Sequence, residues 1–199
     1  WGALMNVNAC RSSLISSLFA TAWPTTAMVP ATCTPSGPAA SSTLGPRKVT
    51  VIKPSPDTVI MNAMSQDYNG DGSLHYFDRT CQHMVELQVG QTYTFSVTVG
   101  PTAENVRAYI DYNNDGDFLD ANETIYTPTA GSGKRPDASF TVPLTGTVNC
   151  VPIRMRVITN TGSVPNSCSS PINGQAEDYS VLIRGGAASS NASVAISDP

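Results

Sequence analysis

Asp111, Asn113, Asp115 and Asp117 place an oxygen ligand at every second residue, and Gly116 among them lets the backbone turn sharply. This is the ligand spacing of a calcium loop, in which a hard cation gathers short-range oxygens from alternate positions. The carbonyl of Leu119 and the side chains of Asp120 or Glu123 are at hand to close the shell. At the twelfth position, where a helix-loop-helix calcium hand carries its bidentate glutamate, stands Asn122, and the flanks at 106–110 and 124–127 are strand-like. The loop therefore reads as calcium-binding but not as an EF-hand. The plainer alternative is a hairpin tip whose Asp and Asn side chains bond their own backbone.

Asp67, Asn69, Asp71, Ser73 and Asp78 repeat the pattern, with Gly72 at the sixth position and Asp78 at the last in place of a glutamate. The spacing predicts a second ion site. It offers fewer strong early ligands than the first, and residues 74–77 suit equally well a strand entering a sheet.

Loops of this kind need strands to hold them. Tyr93, Phe95, Val97 and Val99 alternate with Thr and Ser, the period-two pattern of a half-buried strand. Similar short runs fall at 48–52, 59–63, 84–89, 106–110, 124–127, 138–142, 153–159 and 179–183, separated by turn residues. About nine short strands with no helical period predict an all-β fold, an antiparallel β-sandwich. The sandwich is placed at 33–184, opening on a Pro/Gly/Ser-rich stretch at 33–46. Before it, residues 1–32 form an irregular N-terminal extension; after it, 185–199 form a small-residue tail.

Charged residues are only 13 % of the 199 and the net charge is −4, which leaves no basic face for nucleic acid. No apolar run is long enough for a membrane span. The stretch 12–23 is similar to the middle of a signal peptide but is diluted by serines, and is read as part of the mature chain. Two histidines, His75 and His83, are too few and badly spaced for a zinc cluster. Five cysteines without a CxxC point instead to disulfides and an oxidising compartment. Cys150 and Cys168 bracket the strand at 153–159 and are expected to pair. Cys33 is then left for Cys81 or Cys10, with one cysteine free or bonded to another chain. Asn122-Glu-Thr124 and Asn191-Ala-Ser193 match the glycosylation sequon by pattern.

Three segments together resemble the GEVED domain family, a calcium-associated β-sandwich module of secreted bacterial proteins. Residues 106–118 are similar to the family's strand and Asp-x-Asn-x-Asp-Gly-Asp-Phe loop, with Glu123 at its following glutamate. Ile153-Arg-Met-Arg-Val157 resembles its Arg-x-Arg strand, and Gly174-Gln-Ala-Glu-Asp-Tyr179 its name motif, with Gln175 and Ala176 departing from it. The resemblance covers roughly 33–184 and implies that Glu177 and Asp178 reach the same edge of the sandwich as Asp111. There they either complete an ion's shell or pair with Arg154 or Arg156.

No Gly-x-Ser-x-Gly elbow, His-Glu-x-x-His or phosphate-cradling loop is present, so no enzyme is expected. The expected function is a non-catalytic structural subunit, calcium-stabilised and secreted to the extracellular space or cell surface. It would assemble with itself into a homopolymer, pilus-like, or with neighbouring surface proteins, through strand or extension contacts. Leu14, Ile15, Leu18, Phe19, Trp23 and Val29 make residues 1–32 the expected assembly segment. The alternative is a carbohydrate- or ligand-binding accessory module of a larger secreted enzyme or adhesin, recognising glycans through exposed aromatics.

Overall fold

The structure, a computed structural model, describes residues 27–36, 44–54, 56–64, 75–170 and 173–185. Ten strands and no helix occur among them: β1 (Pro46–Lys53), β2 (Thr58–Met64), β3 (Tyr76–Asp78), β4 (Met84–Gln88), β5 (Thr92–Val99), β6 (Asn105–Ile110), β7 (Thr124–Tyr126), β8 (Ala138–Thr141), β9 (Pro152–Asn160) and β10 (Ala176–Arg184). None of the described residues forms a helix long and apolar enough to cross a membrane.

The strands make two sheets, β2-β1-β5-β8 and β3-β10-β9-β6-β7, with β4 also paired to β10. Side chains from the two inner faces fill the space between. Val49 and Val51 of β1, Tyr93, Phe95, Val97 and Val99 of β5, Val106, Ala108 and Ile110 of β6, Ile153, Met155 and Val157 of β9, and Tyr179, Val181 and Ile183 of β10 form one core. Their alternate spacing follows from the two-residue period of the pleat. Each large buried member contributes about 1.5–3 kcal/mol of transfer free energy before ordering costs.

The fold is the expected all-β sandwich, with two differences of detail. β3 adds a tenth strand at 76–78, too short to show a period in sequence. The second sheet is mixed: β3 and β4 both run parallel to β10, end to end along its edge, while β9 lies antiparallel on its other side. Parallel pairing requires a long crossover, and here the chain from β4 to β10 traverses both sheets before returning. Strand β9 alternates poorly because its outer face is covered as well: Arg154, Arg156 and Ile158 are buried like their inward neighbours.

The disulfide expected between Cys150 and Cys168 does not form. Cys168 is bonded to Cys33, with Cα atoms 5.6 Å apart, and Cys150 is free and exposed. The reason is the length of β9. Cys168 follows Ser167, whose carbonyl accepts from Arg156, and Arg156 lies six positions beyond Cys150 in sequence, most of them in extended strand, roughly 20 Å. A disulfide cannot bridge that distance. Cys81 is also disulfide-bonded.

Candidate functional site

The loop from Asp111 to Glu123 joins β6 to β7, and its base is closed by the strands themselves. Ile110 N–H donates to the Glu123 carbonyl (2.8 Å) and Asp111 N–H to the Arg154 carbonyl of β9 (2.9 Å). Above this base the side chains build the turn. Asp111 accepts from the amides of Asp115 (3.1 Å) and Gly116 (3.0 Å), one on each oxygen. Asn113 accepts from Asp115 N–H, Asp115 from Asp117 N–H, and Asp117 from Leu119 N–H. Glu123 reaches back to the amides of Tyr112 (3.0 Å) and Asp120 (3.2 Å). Asp111, Asn113, Asp115 and Asp117 thus each curl the backbone two or more residues ahead, as short polar side chains in turns do, and Glu123 ties the loop from its far end.

These backbone bonds leave carboxylate oxygens over. Asp115, Asp117 and Asp120 each offer one within 4.8 Å of the others, at the loop's surface. Asn113 lies between, its Nδ2 donating to Asp115 (2.9 Å) and Asp120 (2.6 Å). Asp111 and Glu123 lie beneath, each only 1 % exposed. The loop therefore concentrates five carboxylates, and none of them forms an ion pair with a described Lys or Arg. Burial raises the Asp111 carboxyl above its ordinary range. It pushes Glu123 up to about 7, and the neighbouring Asp111 and Asp120 push in the same direction. An uncompensated cluster of this kind takes up either protons or a cation. The donors are all oxygens, the set that a hard divalent ion such as calcium prefers.

Of the second predicted loop, Asp67, Asn69, Asp71 and Ser73 lie outside the described residues. Asp78 is described, at the end of β3, where its Oδ1 accepts from the amide (2.9 Å) and hydroxyl (2.6 Å) of Thr80.

Glu177 and Asp178 are engaged by arginines. Asp178, fully buried on β10, accepts from Arg156 Nε (2.7 Å) and Nη2 (2.8 Å), Arg154 Nη1 (2.8 Å) and the Tyr76 hydroxyl (2.8 Å). Glu177 pairs with Arg79 at 3.1 Å and accepts from the Tyr179 hydroxyl. The strand register explains the first group: Asp178 is the direct cross-strand partner of Arg156, and Arg154 is one pleat along on the same face. Of the two roles that sequence left open, arginine pairing is the one these contacts fill.

The network and the acid loop share a wall. The Phe118 ring lies 5.0 Å from the Arg156 guanidinium and 5.8 Å from the Tyr109 ring. Arg156 Nη1 also donates to the carbonyls of Cys33 (3.0 Å) and Ser167 (2.9 Å), so the disulfide is anchored on the same side chain. Tyr76 and Arg79 belong to this arrangement and carry no sequence signal of their own. The pairing of β3 with β10 reveals both contacts, Tyr76 lying in β3 and Arg79 directly after it.

Residues 105–182, from β6 into β10, match the family model of the GEVED domain. No curated protein matches the chain. The acid loop, the Arg-x-Arg strand and the Glu177-Asp178 pair all fall inside the matched span; β1 to β5 lie before it.

Proposed function

We propose that this chain is a non-catalytic, extracellular structural module in which calcium, held by the Asp111–Glu123 loop, stabilises the sandwich. The observation that carries the reading is the set of five loop carboxylates without a cationic partner among the described residues, two of them buried beneath the other three. Asp115, Asp117 and Asp120 would hold the ion, with Asp111, Asn113 and Glu123 shaping the loop under it. When bound, the ion would supply the positive charge that offsets their repulsion. The Cys33–Cys168 bridge and the bonded Cys81 support an oxidising, secreted setting.

The assembly part of the proposal, a homopolymer or a contact with neighbouring surface proteins, is supported by β2. This edge strand of the first sheet contains no charged residue and exposes Val59 and Met64. Native edges are usually blunted by charge, and one left neutral and apolar invites another strand. The glycan-binding alternative needs exposed aromatics, and no large exposed apolar side chain among the described residues is aromatic.

Metal analysis and electron microscopy of the full chain test the two parts separately. The expected results are calcium retained after dialysis and lost in Asp115→Ala, and filaments or higher oligomers in the calcium-loaded protein. Metal-free protein of unchanged stability would overturn the first part. A monomer at high concentration in calcium would overturn the second.

A further inference from the structure

The acid loop presents two faces along one stretch of backbone. Asn113, Asp115 and Asp117 carry the oxygens directed to one another and to the amides ahead of them. The residues between them, Asn114 and Gly116, face a different partner, the segment Ala27–Thr32 that precedes the sandwich. Asn114 Oδ1 accepts from Val29 N–H (2.9 Å), and its Nδ2 donates to the Ala27 carbonyl (3.3 Å). The Gly116 carbonyl accepts from Thr32 N–H (2.8 Å). Both loop residues have left-handed backbones, φ 59° and 94°, and a Cβ on Gly116 would stand 2.5 Å from the Pro30 carbonyl oxygen.

These are contacts to main chain. One side-chain amide reads a donor and an acceptor two residues apart, as a neighbouring strand would, and the segment itself is half-buried to exposed. Hydrogen bonds to the loop hold it, with little apolar burial, which places it at the low end of local stability. Just beyond Thr32 the chain is fixed by the Cys33–Cys168 bridge and the Arg156 bond to Cys33. Ala27–Thr32 is therefore a strap with a covalent root and a clasped end.

We propose that the acid loop is a clasp for this strap, and that cation binding to the loop and docking of the strap are one coupled equilibrium. The inference rests on the calcium reading above and adds its consequence. The same backbone turn that brings the Asp115, Asp117 and Asp120 carboxylates together sets Asn114 and Gly116 toward the strap. An ion that orders the turn fixes both. Loss of the ion loosens the clasp and frees residues 27–32 back to the disulfide, changing where the preceding residues leave the sandwich. Because coupling is reciprocal, a docked strap must strengthen ion binding by the same factor.

Hydrogen exchange on the full, oxidised chain, with calcium titrated by calorimetry, tests this. Saturating calcium should slow exchange at the Val29 and Thr32 amides by about tenfold, an ordinary size for coupled sites. Asn114→Ala removes the clasp and Thr32→Pro removes the strap's donor without altering a carboxylate. Each should abolish the calcium effect at Val29 and weaken calcium binding by the same tenfold. Calcium binding with no change at Val29 or Thr32 overturns the coupling. Absence of any calcium binding removes the calcium reading and the coupling together. The clasp then stands or falls on Asn114→Ala alone: Val29 exchange that is unchanged by that substitution would refute it.

Discussion

The ring of Phe118 lies 5.0 Å from the guanidinium of Arg156. Phe118 belongs to the acid loop, and Arg156 holds Asp178 in the sheet below through two nitrogens. The loop is thus seated on the most buried ion pair among the described residues. Phe118 itself is 3 % exposed. Phe118→Ala should cost about 3–5 kcal/mol, the usual loss for a buried aromatic truncated to alanine. Denaturant unfolding measures it, and a loss below about 1 kcal/mol would mean that the ring is not a packing element.

Asp178→Ala leaves Arg154 and Arg156 buried without their carboxylate. Breaking a buried pair in this way costs about 3–5 kcal/mol because the remaining charge is uncompensated. Calcium affinity of the folded variant should be unchanged. An affinity that falls in protein still folded would make Asp178 a ligand instead.

Cys150 should react with a maleimide in native, unreduced protein, whereas Cys33 and Cys168 should not. Cys168→Ser opens a loop of 135 residues and should destabilise the fold by about 3–5 kcal/mol on the loop-closure view. Recovery of Cys33 as a free thiol from oxidised material would contradict the pairing.

Glu104 is fully buried, with Oε2 accepting from Gly45 N–H at 2.9 Å. Burial raises its carboxyl above the ordinary range. In the folded protein it therefore holds its proton more tightly than in the unfolded chain. Its ionisation costs nothing below the unfolded value, and the cost grows as pH rises through the folded one. Glu104→Gln should accordingly become more stabilising, relative to wild type, between pH 4 and pH 8. Melting curves across that range check the slope, and a difference that shrinks with pH would reverse the sign.

How far the sequence exposes this structure depends on whether the deciding contacts are local. Tyr93, Phe95, Val97 and Val99 announce β5 because a strand's alternation is written in its own residues. The Asp111–Asp117 spacing is equally local, and so is the turn it makes. Glu177 and Asp178 stayed undecided because a carboxylate serves a cation or an arginine equally well. Only the β9–β10 register puts Asp178 opposite Arg156. The Cys150–Cys168 expectation failed for a related reason: nearness along the chain misleads when an extended strand intervenes. The Asn114 clasp had no sequence signal, since it recognises backbone, which every residue shares.

Calcium titration of the full chain, followed by thermal unfolding, tests the central proposal most directly. At about a hundredfold excess over the dissociation constant, an ion that binds only the folded state adds about 2.7 kcal/mol. For a domain of this size that raises the melting temperature by roughly 5–10 °C. The rise should disappear in Asp115→Asn with Asp117→Asn and be undone by chelator. A melting temperature that is the same in calcium, in chelator and in that double variant would contradict the proposal.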